Sequence, residues 1–594
     1  MELPDPPLSV PSTNEFGSSV KAAQNIDEEI GNYRDKIRAL KTRRNELVLI
    51  SRLPPELLST IFQLVQEKPL TYFPERTKWT AISHVCGHWR RVALQSPSLW
   101  SNIDIHGHES GPGTWVEVFL ERSKQAALTL SAKLTYRSLQ PIKAALEKVD
   151  RMRHLSLTLQ TPMAQDLLDI LENHPAPLLE HFQINCSTSE GSGRLPDRLF
   201  SGNYSSLRVL KLVNCDSSWN LPPLHNLVIL QIHNSNIFAG SGESPTILQL
   251  ISILENSPNI KQIDLEGMLP GSQPGAHTGS PIILPNLSTI SLKSPIVSSV
   301  ELLNHISYPA SSSVSVDSLD NTRHNLTDIC RITCLTFNPE NIIGLRPPVH
   351  YLKVTSPRVG GGLLKVEAWC RPGNNPEELS ETPMFSLGVH MLSGTDPLIG
   401  AGDSTFWNLL ALEELKCLGA VGLDLGKHAW LNLSTHLGHL TTLKLYTLSD
   451  KAASNVLDAL SSKRPGNLKK DKKRRQKTSH LYFPALHGLS IIGWDFETPP
   501  ENLKQTSKLL KHLITCLKTR KRLGAGIETL DLTRCRYLFG SGVEELKKVV
   551  ANVTWDMSEE VTESEDDDDD DEYYGYDWDV DYGDYDSDED LYFY

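Results

Sequence analysis

The chain has 594 residues, of which 39% are hydrophobic and 22% charged, a composition typical of soluble globular proteins with several domains. Its net charge of −14 is concentrated in residues 559–594, which hold 19 Asp and Glu and no Lys or Arg. The rest of the chain is close to neutral, which argues against a protein that binds nucleic acids through a basic surface. Nine cysteines without a C-x-x-C pair indicate reduced, mostly buried thiols rather than a disulfide scaffold.

No targeting or membrane segment is expected. Residues 1–7 lack the basic residues and the apolar stretch of a secretory signal. No run of about 18 apolar residues, the length that spans a membrane, occurs in the sequence. We therefore expect the protein in the cytosol, the nucleus or both.

The first 50 residues predict one amphipathic helix. Residues 1–19 are rich in Pro and Ser and are predicted to be disordered. Between residues 20 and 50, apolar residues recur at steps of four and three, except where Arg44 takes an apolar position. This apolar stripe consists of Ile26, Ile30, Tyr33, Ile37, Leu40 and Leu47. Three heptads are marginal for a coiled coil, so the helix is predicted either to dock on its own neighbour or to dimerise.

Residues 51–105 predict a small helical unit. Pro54 and Pro55 stand at a helix start, where a missing N–H costs nothing and the fixed φ is already helical. The helix that follows has a wide apolar face, and a second helical segment is predicted over residues 79–94. Such short helices cannot bury this much apolar surface among themselves, so we expect a partner for the excess.

Residues 106–555 contain short L-x-x-L-x-L units, in which alternate apolar residues suit a strand that is buried on one face. Many units follow a Pro-containing turn, and several follow a helical stretch such as residues 245–254. This order of elements, at irregular intervals of 20 to 33 residues, predicts an irregular leucine-rich-repeat solenoid. Cys215 and Cys535 end two units and are expected to be structural. The units begin at Leu179, Leu207, Leu227, Ile260, Leu287, Ile332, Val349, Leu412, Leu440, Leu486 and Ile527.

Two charged runs accompany the repeats. Residues 463–478 form a basic insertion, and residues 556–594 form an acidic tail that is predicted to be disordered because it cannot bury enough apolar surface. Three interpretations stay open: both runs are solvated surface, the basic run is a nuclear-import signal, or the tail masks that run in a salt-sensitive way.

Catalytic and metal-binding patterns are missing from the sequence. It contains neither G-x-S-x-G nor H-E-x-x-H, and residues 426–428 lack the Ser/Thr and the upstream Gly of a P-loop. His84, Cys86 and His88 are close in sequence, but no second cluster completes a zinc site, so we expect them to pack. We predict a non-catalytic protein without cofactor or metal.

The motifs of residues 51–105 resemble those of an F-box. They are Leu53-Pro54-Pro55-Glu56-Leu57-Leu58 with Ile61-Phe62, Val85-Cys86-xx-Trp89-Arg90, and Ser98-Leu99-Trp100. With the helix before and the repeats after it, the chain is similar to F-box families of mushroom-forming (basidiomycete) fungi. The resemblance implies docking onto the adaptor subunit of an SCF-type cullin–RING ubiquitin ligase. Carried over position by position, the adaptor-facing residues would be Leu53, Pro54, Pro55, Leu57, Leu58, Ile61, Phe62, Val85, Cys86, Trp89 and Leu94.

The expected fold is therefore α/β: a small helical F-box followed by the solenoid, with the N-terminal helix before it and the acidic tail after it. The expected function is the substrate-recognition subunit of the ligase, with the adaptor, through it a cullin, and an unidentified protein substrate as partners, and without membrane or direct nucleic-acid binding. Outward strand residues would select the substrate; candidates are Arg208, Lys211, Lys444 and Asp531. Two alternatives remain: the helices only cap the solenoid, or the chain is a protein-binding scaffold outside the ubiquitin system.

Overall fold

The computed structural model describes most of the chain, with gaps. The described residues are 13–67, 78–105, 114–160, 165–187, 193–216, 224–234, 245–269, 280–319, 332–336, 342–356, 362–370, 382–391, 410, 412–464, 481–496 and 507–557. The expected acidic tail from residue 558 onward, most of the basic insertion, and residues 1–12 lie outside them. Across the described residues, no helix combines the length and the apolar character needed to cross a membrane.

Helices dominate the N-terminal region and then recur between strands. They are α1 (Thr13–Glu46), α2 (Pro55–Glu67), α3 (Ile82–Val85), α4 (Gly87–Gln95), α5 (Thr114–Arg122), α6 (Leu139–Leu146), α7 (Gln165–Asn173), α8 (Ile247–Glu255), α9 (Ile296–Asn304), α10 (Lys427–Leu433), α11 (Asp450–Ser461), α12 (Lys508–Arg522) and α13 (Gly540–Lys547). Helix α1 begins seven residues before the expected start at 20, inside the segment predicted to be disordered. Extending an existing helix costs far less free energy than nucleating one. The helix that begins with the apolar stripe therefore extends into the polar residues before it.

Short strands alternate with these helices. They are β1 (Asn102–Ile105), β2 (Leu128–Lys133), β3 (Met152–Gln160), β4 (His181–Ser187), β5 (Gly193–Arg194), β6 (Val209–Val213), β7 (Cys215–Asp216), β8 (Ile229–His233), β9 (Gln262–Glu266), β10 (Ile282–Ile283), β11 (Thr289–Ser294), β12 (Ile306–Pro309), β13 (Ser313–Ser318), β14 (Ile342–Ile343), β15 (Tyr351–Thr355), β16 (Gly362–Trp369), β17 (Phe385–Met391), β18 (Cys417–Val421), β19 (Thr442–Tyr446), β20 (Gly488–Ile492), β21 (Thr529–Thr533) and β22 (Asn552–Trp555).

Seventeen of these strands form one main sheet, which is parallel except at β16. From β1 to β13 and again from β18 to β22, the main-sheet strands lie side by side in chain order. Sequential parallel neighbours linked by helices and turns build an elongated stack, an arrangement consistent with a solenoid. The structure is thus mixed α/β, with N-terminal helices followed by a large, mainly parallel sheet.

The chain order reverses once, in the middle of the sheet. Strand β17 pairs with β13, β16 runs antiparallel between β17 and β15, and β15 then pairs with β18. The unit expected at Ile332 is not a strand, because the described residues 332–336 are helical. Strand β13 was not expected, since its inner residues are valines rather than the leucines of the repeat pattern.

The same turn conformation follows six strands of the main sheet. Its first residue has φ between +44° and +67°, the left-handed range that favours glycine. These residues are Asn214, Gly267, Gly422, Thr447, Gly493 and Arg534. In the first five, the backbone N–H donates to a carbonyl near the end of the neighbouring strand at 2.7–3.1 Å. At Gly493 a Cβ atom would lie 2.8 Å from Cγ2 of Thr447, so glycine is required there for space as well.

The core lies between the sheet and the helices. In β6, β8 and β9, buried residues alternate with half-buried ones, as expected for strands covered on one face. Their inner residues join the buried faces of helices such as α8 in one continuous cluster. Cys215 and Cys535 are buried in this cluster, and their thiols donate to carbonyls of the preceding strand, at 3.8 Å to Ile184 and 3.6 Å to Ile491.

Candidate protein-docking surfaces

Helix α2 has two apolar faces, one buried and one exposed. Leu58 and Phe62 point inward and are 0% and 1% exposed. On the other side, four apolar residues remain exposed by 36–57%. They are Leu57, Ile61, Leu64 and Val65, which we call the outer face of α2. Their spacing of four, seven and eight residues places them on one side of the helix.

The inner face packs into an aromatic cluster that joins the helices to the sheet. The ring of Phe62 lies 5.2 Å from that of Trp89. Trp79, Trp100 and Phe119 contact one another edge to face, with ring centroids 5.1–5.9 Å apart. Because Phe119 belongs to α5, the helical unit is anchored on the first unit of the sheet. The helices therefore close this end of the core, as the capping alternative expected, and still leave the outer face of α2 uncovered.

Two hydrogen bonds fix α2 against the segment that leads into β1. The side-chain amide of Gln63 donates to the Ser98 hydroxyl at 2.5 Å, and that of Gln66 donates to the Leu99 carbonyl at 3.1 Å. The indole N–H of Trp100 donates to the Ala93 carbonyl at 2.8 Å. The two glutamine bonds use the polar side of α2, so they hold its outer face in one orientation.

The helical segment expected over residues 79–94 is broken at Cys86. Its backbone is extended, with φ −160° and ψ 166°, and separates α3 from α4. The Cys86 thiol accepts a hydrogen bond from the Trp89 amide at 3.4 Å. A side chain that satisfies an amide of the next first turn favours a new helix start over continuation of the old helix.

The residues expected to face the adaptor fall into three groups. Pro54, Pro55, Leu57, Ile61 and Val85 are exposed. Two others lie inside the helical core: Leu58 and Phe62. Four are half-buried: Leu53, Cys86, Trp89 and Leu94. The exposed group presents the most free surface to a partner, and the half-buried residues can contribute only part of theirs.

Sequence reasoning did not select Leu64 and Val65 for the docking surface, although both lie on the outer face of α2. The signal was present, since they follow Leu57 at seven and eight residues. The burial of Leu58 and Phe62 had no such signal, because it depends on residues distant in the chain, such as Trp89, which packs on Phe62.

A second surface is the outward side of the main sheet. The middle outward residues of its strands are aligned by the strand register into one row, which we call the central row. It runs through Asp104, Ser131, Ser156, Gln183, Lys211, Gln231, Asp264, Ser291, Ser315, Ser386, Glu367, Lys353, Gly419, Lys444, Ser490, Asp531 and Thr554. The row is polar except at Gly419, while the residues on either side of it in each strand point into the core.

The structure brings three of the four substrate-binding candidates into this row. Lys211, Lys444 and Asp531 are central-row residues of β6, β19 and β21. Arg208 lies one residue before β6, off the row, and its guanidinium donates to the Asn226 carbonyl at 3.1 Å. The Asp531 carboxylate accepts hydrogen bonds from three hydroxyl groups at 2.8–3.2 Å.

An ion pair crosses the row at β8 and β9. His233 Nε2 lies 3.0 Å from an Asp264 carboxylate oxygen. The hydrogen bond that His233 donates to Asp264 raises the pKa of His233 above its ordinary value, although burial opposes this. Burial alone would raise the pKa of Asp264, but hydrogen bonds from His233 and Ser291 and the charge of Lys211 bring the net pKa below its ordinary value. The pair is therefore charged over the range in which His233 keeps its proton.

Histidines on β3 and β4 behave differently. The rings of His154 and His181 are 5.8 Å apart. Burial lowers the pKa of His181, and the charges of His154 and Lys211 lower it further. The outward side of the sheet thus holds one histidine with a lowered pKa and one with a raised pKa, two strands apart.

Near β18 the central row has a glycine that is enclosed by basic and aromatic side chains. Gly419 occupies the row, and a Cβ atom there would lie 3.0 Å from the Tyr351 hydroxyl oxygen and 3.5 Å from Cγ of Lys353. Lys353 lies 5.8 Å from the ring of Tyr446, and Lys444 lies 5.9 Å from that of Tyr351. Distances of this size are within cation–π range. A larger residue than glycine would push these side chains apart.

Comparison with known proteins identifies the N-terminal unit. Residues 50–106 match the F-box-like family, in agreement with the unit expected at 51–105. Among curated proteins, none matches the chain. The chain therefore contains an F-box-like domain, which covers less than a tenth of its length. Domains of this family generally act in SCF-type ubiquitin ligases as the part of a substrate receptor that binds the adaptor.

Proposed function

We propose that the chain is the substrate-recognition subunit of an SCF-type cullin–RING ubiquitin ligase and that it carries no chemistry of its own. The single observation that supports this most is the outer face of α2. This face is an exposed apolar surface inside a matched F-box-like domain, on a helix whose other side is buried. An exposed apolar patch on a rigid element is typical of a protein-docking site.

The proposed adaptor-binding site consists of the outer face of α2 with Pro54, Pro55 and Val85. The remaining residues of the F-box motif would support it from behind, with the ring of Phe62 packed at a tilt against that of Trp89. The cullin would be reached only through the adaptor.

The main sheet would be an irregular leucine-rich-repeat region that binds the protein substrate along its central row. Support comes from the sequential parallel order of the strands and from the repeated left-handed turn. Both features give successive units the same local structure. Lys211 and Asp531 remain candidate contacts because the row groups them on one surface, whereas Lys444 is only 7% exposed and offers a partner little free surface. Arg208 is a weaker candidate, since it lies off the row.

Binding of the purified full-length chain to the adaptor subunit tests the proposal. Leu57→Asp places a charge in the proposed interface, where it would have to be buried without a partner. We expect the affinity to fall at least about 30-fold, as for a hot-spot residue of about 2 kcal/mol. Leu248→Asp is the matched control, because Leu248 on α8 is exposed by the same 52% as Leu57.

Both variants should keep the melting temperature of the parent chain. Equal binding by all three proteins would contradict the proposed interface, and failure of the folded parent chain to bind the adaptor would favour the scaffold alternative. Affinity purification from cells, with and without proteasome inhibition, then searches for substrates. A substrate is expected to copurify with the parent chain only when the proteasome is inhibited. It should copurify with Leu57→Asp even without proteasome inhibition.

A further inference from the structure

The apolar stripe of α1 is not buried against the described part of the molecule. Its six residues, Ile26 to Leu47, are exposed by 42–72%. The helix is 34 residues long and keeps the heptad spacing over its last three heptads. Docking of the stripe on a neighbouring element of its own chain, one of the two interpretations of the sequence, is not seen among the described residues.

The charges beside the stripe are segregated along the helix. At the positions that flank the stripe, the first half carries Asp27 and Glu29, and the second half carries Lys41 and Arg43. Arg34 and Lys36 lie in between. On the side of α1 away from the stripe, Arg38 and Asp35 form a salt bridge with each other at 2.8 Å. The flanking charges are therefore the ones left to meet a partner helix.

We propose that α1 pairs with α1 of a second copy of this chain in an antiparallel coiled coil centred on residue 35. In this register Ile30 lies opposite Leu40 of the other copy, and Tyr33 lies opposite Ile37. Arg44, the one polar residue in the stripe positions, lies opposite Ile26 near the open end of the pair. Each apolar layer is thus filled, and the guanidinium stays near water.

Charge complementarity selects this orientation. In the antiparallel pair, Asp27 faces Lys41 and Glu29 faces Arg43, and each attraction occurs twice by symmetry. Like charges meet only at the centre, at Arg34 and at Lys36, whose Nζ lies 5.4 Å from the ring of Tyr33. Flanking charges of this kind set partner and orientation in coiled coils.

The parallel alternative is less favourable on two counts. It would place both copies of Arg44 against each other in the seam, where each guanidinium would be desolvated beside a like charge. It would also set Lys36 beside Lys41 of the other copy, twice. In the parallel pair, the only attraction between flanking charges of the two copies would be that of Glu29 to Arg34. A second copy of the chain in antiparallel orientation is the partner that the helix itself specifies.

The consequence is a molecule with two F-box-like domains at opposite ends of the pair. Helix α1 ends at Glu46, 11 residues from the centre, so the two helix ends that lead into the domains would lie about 33 Å apart at the rise of an α-helix. This inference does not depend on the proposed function, because the pairing uses only α1. If the proposed function also holds, one assembly carries two adaptor-docking surfaces.

The mass of the full-length chain in solution, measured by light scattering or sedimentation over a range of concentrations, tests the pairing. We expect twice the chain mass of 66.2 kDa at the higher concentrations. Ile30→Glu/Ile37→Glu should reduce it to the single-chain mass. The matched control, Asn32→Glu/Ala39→Glu, adds the same charges on the outer side of α1 and should keep the doubled mass. A single-chain mass of the parent protein, or a doubled mass of Ile30→Glu/Ile37→Glu, would overturn the proposal.

Oxidative crosslinking tests the orientation. An Ile26→Cys chain mixed with an Arg44→Cys chain should form a disulfide between positions 26 and 44, identified by peptide mass mapping against the unmodified chain. Each variant alone should not crosslink through its new thiol, because like positions lie at opposite ends. A disulfide between two copies of Ile26→Cys would show a parallel pair and refute the antiparallel register.

Discussion

The backbone N–H of Arg534 donates a hydrogen bond of 2.5 Å to the side chain of Asp556. In earlier units the residue at this place donates to a backbone carbonyl near the end of the next strand, as Gly493 does to Thr533 at 2.9 Å. At the last turn before the final strand of the sheet, a carboxylate replaces that carbonyl. Arg534 has φ +53° without being glycine, so its turn depends on this bond more than the glycine turns do.

Asp556→Ala is therefore expected to loosen the edge of the sheet. Loss of the bond should cost about 1–2 kcal/mol locally, because the acceptor is charged. Amide hydrogen exchange in β21 and β22 should become about tenfold faster. Glu545→Ala on α13, which removes another exposed acid nearby, should leave these rates unchanged; equal acceleration in both variants would contradict the capping role.

Arg520 is expected to be the most sensitive charged residue of the sheet region. It is fully buried, and its guanidinium donates at 2.9 Å to the carbonyls of Leu460 and Phe483, which lie on the neighbouring helix and in the turn before β20. Burial lowers the pKa of its guanidinium. Arg520→Met would leave these buried carbonyls without donors, at a cost of about 3–5 kcal/mol.

The measurement is the melting temperature together with hydrogen exchange in α11 and α12. Arg522→Met, on the exposed side of α12, is the matched control and should change little. Arg520→Lys should fall in between, because one ammonium cannot span both carbonyls. A stable Arg520→Met chain would show that another group satisfies them.

The His233–Asp264 pair predicts a pH-dependent contribution to stability. The pKa of His233 is raised in the folded chain above the ordinary 6.5. Its contribution is therefore fully present below pH 6.5 and is lost as the pH rises through the raised value. Asp264 keeps its charge in this window because its pKa lies below 3.8.

His233→Gln should therefore destabilise the chain by about 0.5–1 kcal/mol at pH 5 and by less at pH 9. Thermal unfolding at the two pH values provides the comparison. His225→Gln, at an exposed position, should show no such difference. A larger loss at pH 9 than at pH 5 would refute the assigned direction.

Trp89 is expected to act through the stability of the helical unit. Its ring packs 5.2 Å from Phe62, inside the helices. Trp89→Ala should cost about 3 kcal/mol of packing and increase proteolysis between residues 51 and 105, so that adaptor binding falls together with folding. Trp89→Phe should restore much of both. If Trp89→Ala keeps the helices protected yet loses binding, the residue contacts the partner directly.

The opposite charge runs predict the location of the protein, although both lie mainly outside the described residues. A fluorescent fusion in which residues 472–475 are replaced by alanine should lose nuclear accumulation, because such basic blocks are read by import receptors. Deletion of residues 559–594 should raise it if the tail masks the run. A fusion whose distribution is unchanged by both alterations would mean that the runs are solvated surface.

The L-x-x-L-x-L pattern identified most of the parallel strands because each strand needs only its own alternation of apolar residues. It found β4, β6, β8, β9, β11, β15, β19, β20 and β21 by their inner leucines and isoleucines. It missed β13, whose inner residues are valines, and the antiparallel β16, and it also did not include β1, β2, β3, β17 and β22. It also took residues 332–336 for a strand, since apolar spacing over five residues suits a short helix equally well.

The sequence by itself determined the helices of the F-box-like domain, the strands with leucine spacing and the stripe of α1, because these depend on residues close together in the chain. Only the tertiary structure decided that Leu58 and Phe62 turn inward while Leu57 and Leu64 stay exposed, since both pairs carry similar apolar side chains. The difference arises from neighbours distant in the chain, such as Trp89, whose ring packs on that of Phe62. Likewise, Lys211 and Asp531 share one row only because hydrogen bonds between strands fix the register across the whole sheet.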